Sequence, residues 1–172
     1  AAHYFKGLMP AQRAAMGDKD KGLVALAIVA SLALMIIGYR TADFIPVWTP
    51  PAFFTGINNL AMILALWVYG SSAAKGAKAW PAYKTRHPQL LAVKIWAAAH
   101  LLVNGDLASV LLFGGMLVWA VVSVILINRA EPWVPKTPGE PKRDVIAVVI
   151  TLVVYGVIVG IHSALGVSPF PG

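Results

Sequence analysis

The chain reads as an all-α, polytopic integral membrane bundle, with five spans and the end of a sixth at the N-terminus. Three observations predict this class. Apolar residues make up 59% of the 172 residues and charged ones only 12%, about half the charged share of a soluble domain. The apolar residues gather into five runs long enough to cross, or nearly cross, a bilayer. The basic residues then alternate between the loops that separate those runs.

The runs are 23–39, 53–69, 90–103, 107–127 and 145–165, and they predict helices near 23–40, 53–73, 89–103, 107–128 and 144–165. The third run is short and carries Lys94 near its start, where a lysine snorkels to the interface. Only Asn104-Gly105-Asp106 separates the third run from the fourth. A polar turn that short joins two arms of a helical hairpin, and Pro88 suits the first turn of the hairpin's first arm. The chain opens on Ala1-Ala2-His3-Tyr4-Phe5-Lys6, which reads as the tail of a preceding span, a helical piece before residue 8 whose earlier part is missing. The whole chain, 1–172, is read as a single transmembrane domain.

Four basic residues precede the first run (Lys6, Arg13, Lys19, Lys21), four follow the second (Lys75, Lys78, Lys84, Arg86) and four follow the fourth (Arg129, Lys136, Lys142, Arg143). The loop 40–52 holds Arg40 alone, and the 104–106 turn and the residues after 165 hold none. By the positive-inside rule the loops 6–21, 75–86 and 129–143 face the cytoplasm. Topology therefore explains the net charge of +7, and a nucleic-acid partner is not expected; the partner is the lipid bilayer. With no cysteine in the chain, disulfides, iron–sulfur clusters and thiol chemistry are excluded. On the last run Gly156, Gly160 and Ala164 form a small-residue stripe, read as a close helix contact or as room for a flat ligand.

Function is sought at the histidines, because an ionisable side chain inside a span marks a pathway, a relay or a ligand. His100 lies four residues before Asn104, and His162 three before the end of its run, so both sit roughly 5–6 Å below the same boundary at 1.5 Å per residue. Trp96, His100 and Asn104 share one helical face. Two histidines at equal depth could hold a planar metal cofactor such as haem from opposite sides. The alternative is that each ring donates an N–H to a carbonyl and simply packs. Zinc suits the segment poorly, for want of cysteine and of acidic ligands at that depth. Arg86 and His87, before Pro88, read either as a basic start to the hairpin or as a grip for a cofactor's carboxylates. The alternative to any enzyme is a haem-free accessory subunit of a larger membrane complex.

The strings Tyr83-Lys84-Thr85-Arg86-His87-Pro88, Trp96 to His100, Asn104-Gly105-Asp106-Leu107 and Phe113-Gly114 resemble the NnrU family of bacterial membrane proteins. So do Trp48-Thr49-Pro50-Pro51 and the closing Gly166-Val167-Ser168-Pro169-Phe170-Pro171. The resemblance covers essentially the whole chain, and its most specific part is Arg-His-Pro followed by a histidine thirteen residues after the first. It implies a bacterial inner-membrane location and a link to denitrification. It also implies kinship with zeta-carotene isomerase, which holds haem b between helices and isomerises a carotenoid when the iron is reduced. That enzyme's ligating histidines match His3 and His100, and a cysteine proposed as its alternative ligand matches Ala97. The resemblance thus implies His3 with His100 as metal ligands, where depth favours His100 with His162; the first pair is preferred and His162 is the alternate. A fainter similarity, to isoprenylcysteine carboxyl methyltransferase, rests on Arg86-His87-Pro88 and Arg129-Ala130-Glu131 and implies methyl transfer.

Overall fold

A computed structural model describes residues 19–73, 78–130 and 132–170. All regular structure among them is helical: α1 (Lys19–Thr41), α2 (Phe54–Ala73), α3 (Pro88–Val103), α4 (Leu107–Ala130) and α5 (Pro141–Ala164). The expected boundaries hold to within a few residues. Helix α5 starts three residues earlier than the apolar run suggests, because Pro141 occupies its first turn after the extended Glu140. The helical piece expected before residue 8 lies outside the described residues.

The chain divides into two compact units, Ala1–Asp43 and Phe44–Gly172. In the first, α1 is an apolar helix, long and apolar enough over Gly22–Thr41 to cross a membrane. In the second, α4 and α5 meet the same criterion, whereas α3 is an apolar helix of only 16 residues. Helix α2 has 20 residues, and Asn58 and Asn59 lower its apolarity. Three helices of this length and apolarity mark a membrane protein.

Within the second unit α5 packs on α2, α2 on α3, and α3 on α4. The two helices least able to stand alone in lipid are therefore the two in the middle. Their seams are built from small residues: Ala65, Ser71, Ala92, Ala97, Ala99, Ser109, Ala120 and Ser123 are all buried. Small side chains let membrane helices approach closely. The buried hydroxyls do not go unpaired, since Ser71 Oγ donates to the Val68 carbonyl and Ser123 Oγ to that of Trp119. Large apolar side chains point outward instead, among them Leu60, Leu111, Val118 and Val153. The stripe of Gly156 and Gly160 also lies open: a Cβ at either would meet nothing within 4 Å. The close contact expected there is not made within the described chain.

Each end of the unit is tied by paired loops. At one end, Val47 and Trp48 donate their backbone N–H groups to the Gly105 carbonyl (2.7 and 3.1 Å), and Leu107 donates to that of Ile45 (2.8 Å). Asp106 caps α4, accepting from Ser109 N–H at 2.9 Å and Ser109 Oγ at 2.5 Å. At the other end, Lys78 N–H donates to the Thr137 carbonyl and Gly139 N–H to that of Lys78 (2.9 and 2.7 Å). Trp80 N–H reaches Asp144 Oδ1 (2.7 Å). The loops that carry basic residues thus converge on one end, and Lys136 sits beside Lys78, its pKa lowered by burial and then by that neighbour's charge. The loops at the opposite end, 44–53, 104–106 and 165–170, contain no Lys or Arg.

Candidate functional site at the histidine end of the bundle

Helix α3 ends at the end without basic charge, and His100 is three residues before that end. Its Nδ1 lies 2.9 Å from the Trp96 carbonyl. A carbonyl can only accept, so Nδ1 carries the hydrogen and Nε2 presents its lone pair. The ring is held by aromatic neighbours: Trp96 centres 5.2 Å away and Phe113 of α4 4.6 Å away, and Trp96 meets Phe113 edge-on at 5.0 Å. Phe113 is buried. Asn104 finishes the turn by donating Nδ2 to the His100 carbonyl (2.8 Å).

His162, two residues before the end of α5, repeats the arrangement. Its Nδ1–H donates to the Ile158 carbonyl at 2.8 Å, again leaving Nε2 as an acceptor. The two imidazoles lie at the same end of the bundle, although α3 and α5 each pack on α2 and share no close backbone approach with one another. Beside them, near the start of α2, Asn59 Nδ2 donates to the Pro169 carbonyl (2.9 Å), fastening the segment after α5 to the bundle. Asn58 is buried, and its Oδ1 has no hydrogen-bond partner among the described residues.

The residues singled out in the sequence separate into two groups. Trp96, His100, Asn104 and His162 gather at one end. Arg86 and His87 lie at the other: Arg86 Nη2 donates to the Ile127 carbonyl (3.3 Å), and His87 Nε2 lies 2.8 Å from Asn128 Oδ1. Thirteen residues of α3 place His87 roughly 20 Å from His100 along the helix. A guanidinium on the last carbonyls of α4 meets the negative end of that helix, so the pair joins the foot of α3 to the foot of α4. His3 lies outside the described residues. Among the described residues no three His, Asp or Glu side chains cluster as a metal site built from protein ligands alone would require. The sequence named Phe113 only within the Phe113-Gly114 string of the family resemblance and gave Asn58 no site role. The signal for Asn58 was the adjacent pair of asparagines in an apolar run.

The family model described as NnrU protein matches residues 1–169. The chain belongs to the NnrU family. No curated protein and no solved structure matches it. The match takes in both units of this NnrU chain, the Arg86-His87-Pro88 foot and both imidazoles.

Proposed function

We propose that this NnrU protein is a bacterial inner-membrane protein that holds haem b at the histidine end of its bundle. His100 and His162 are the residues that would hold its iron. The observation that supports the reading most is the matched state of the two rings, each with Nδ1–H held on the carbonyl four residues back; histidines that simply pack make the same bonds, and the absorption spectrum separates the two. A ligating histidine almost always donates its second ring nitrogen to such a fixed acceptor, which sets its tautomer and orientation. Haem iron accepts an imidazole axially. Trp96 and Phe113 give the ligand an apolar aromatic wall, and Asn104 holds the turn behind His100. His3, implied by the family resemblance, is the competing second ligand.

Bound haem supplies redox chemistry or iron-assisted isomerisation, and an apolar, carotenoid-like molecule entering from the bilayer is the matching substrate class. The protein's own part is to bind, orient and keep water out. Arg86 and His87 act from the far end by fastening the hairpin. With the basic loops on the cytoplasmic side, the site opens near the opposite face of the membrane; a denitrification-linked role is compatible with that placement.

The test is the absorption spectrum of protein purified from its native membrane, oxidised and then reduced with dithionite. The expected result is the Soret band of six-coordinate, low-spin haem, sharpening on reduction. Protein without a Soret band would remove the haem reading and favour a haem-free accessory subunit that associates with other membrane proteins.

A further inference from the structure

The backbone at the basic end holds cations together against their repulsion. Lys78 N–H donates to the Thr137 carbonyl and Gly139 N–H to that of Lys78 (2.9 and 2.7 Å), so Lys78 runs alongside Pro138. Lys136 enters that pairing two residues earlier. Arg143 joins it from the first turn of α5, lying so near Gly139 that a Cβ there would come within 2.6 Å of Arg143 Cδ. All three side chains are half-buried, open to the surface on one side. Lys78 Nζ donates to the Ser72 carbonyl (3.1 Å), which anchors it at the end of α2. Burial lowers the pKa of Lys136, and the charge of Lys78 lowers it further. The described carboxylates nearby are engaged elsewhere: Glu140 pairs with Lys142 (2.6 Å), and Asp144 accepts from Trp80 N–H. Like ammonium groups side by side repel, and an anion placed between them removes that cost.

We propose that Lys78, Lys136 and Arg143 form a binding site for the phosphate of an anionic phospholipid, with Trp80, Trp133 and Val134 meeting its apolar part. The last three are large apolar side chains left exposed beside the cations. Tryptophan belongs at the level of the lipid headgroups, which makes a membrane lipid the source of the phosphate rather than a soluble anion. General attraction of a basic surface to anionic lipid depends on how many charges there are. A built site depends on which residues carry them.

The experiment is titration of the full chain in detergent by native mass spectrometry. The probes are dioctanoyl phosphatidylglycerol, dioctanoyl phosphatidylcholine and inorganic phosphate. Phosphatidylglycerol is expected to bind roughly tenfold more tightly than phosphatidylcholine, and inorganic phosphate more weakly than either. Lys136→Gln is expected to weaken phosphatidylglycerol binding about fivefold, the value of one cation at an anionic headgroup. Lys84→Gln removes the same charge from an exposed lysine of the same end and is expected to leave binding unchanged. Equal losses in the two variants would show diffuse attraction only and overturn the proposal. Equal binding of the two lipids would overturn it too, as would follow if a carboxylate of the chain such as Glu131 already fills the place. Inorganic phosphate binding as tightly as phosphatidylglycerol would overturn it in favour of a soluble anion. If Lys136→Gln fails to insert, the three-probe comparison on the unaltered chain still decides. The site lies at the opposite end from His100 and His162, so the outcome does not depend on haem.

Discussion

Asp106 closes the start of α4 with both carboxylate oxygens, taking the Ser109 N–H on one and the Ser109 hydroxyl on the other. Burial alone would raise its pKa. The bonds from the Ser109 side chain and from the N–H groups of Ser109, Asp106 and Ala108 outweigh burial and hold it below the usual carboxylate value. A carboxylate whose folded pKa is depressed contributes stability above its ordinary pKa, lost as pH falls through the folded value. Asp106→Ala is therefore expected to cost about 1 kcal/mol at neutral pH, as lost N-caps do. The gap between variant and wild type should close only below the ordinary carboxylate range, which thermal melts in detergent at stepped pH would reveal. A gap that is unchanged in strong acid would show that Asp106 acts through shape alone. Such single residues were unevenly legible. His100 and His162 stood out because each is an ionisable group in an apolar run, whereas Asp106 read only as a cap or turn residue, and the cap is what it makes. Phe113 could not be distinguished from any other lipid-facing or core aromatic, since its role depends on the register in which α4 returns beside α3.

At the scale of elements, the five helices followed from apolar runs and polar turns, and their limits moved by only a few residues. Which helices sit in the middle was less visible. Helices α2 and α3 have the weakest claims as spans by length or apolarity, and the structure explains why that is tolerated: each is flanked by two neighbours that cover its polar or small side chains. The loop pairings were not legible, because they join segments some sixty residues apart with no shared pattern. Gly105 is the clearest case. Its carbonyl receives two N–H groups from the 47–48 segment, and a Cβ there would fall far inside van der Waals contact distance of the Trp48 carbonyl oxygen and 3.0 Å from Pro50 Cδ. The backbone must approach where only glycine leaves room. Gly105→Ala is expected to destabilise the protein by about 1–3 kcal/mol, the usual cost of forcing atoms into a packed contact, measured as a lowered melting temperature. A melting temperature equal to wild type would mean that the two loops separate without loss.

At the scale of the whole molecule, the second unit has two unlike ends. One gathers Lys78, Lys84, Arg86, Arg129, Lys136, Lys142 and Arg143 onto its loops and helix ends; the other carries no basic loop residue and holds the two imidazoles. Charge asymmetry of this kind orients a membrane protein, and it separates the fastening work of Arg86 and His87 from the chemistry proposed around His100. The sequence alone offered two ligand pairs, preferring His3 with His100 from the family resemblance and keeping His100 with His162, from depth, as the alternate. The bonding around His162 repeats that around His100, which is why that pair is the one proposed; His3 lies outside the described residues. His100 belongs to both pairs, so it carries the central claim. The most direct measurement is the absorption spectrum of the His100→Ala protein beside His162→Ala and His3→Ala. Loss of the haem bands in His100→Ala, from protein still inserted in the membrane, is expected, together with a change to five-coordinate haem or loss of haem in His162→Ala and a wild-type spectrum in His3→Ala. A wild-type haem spectrum in His100→Ala would contradict the account, whatever the other two variants show.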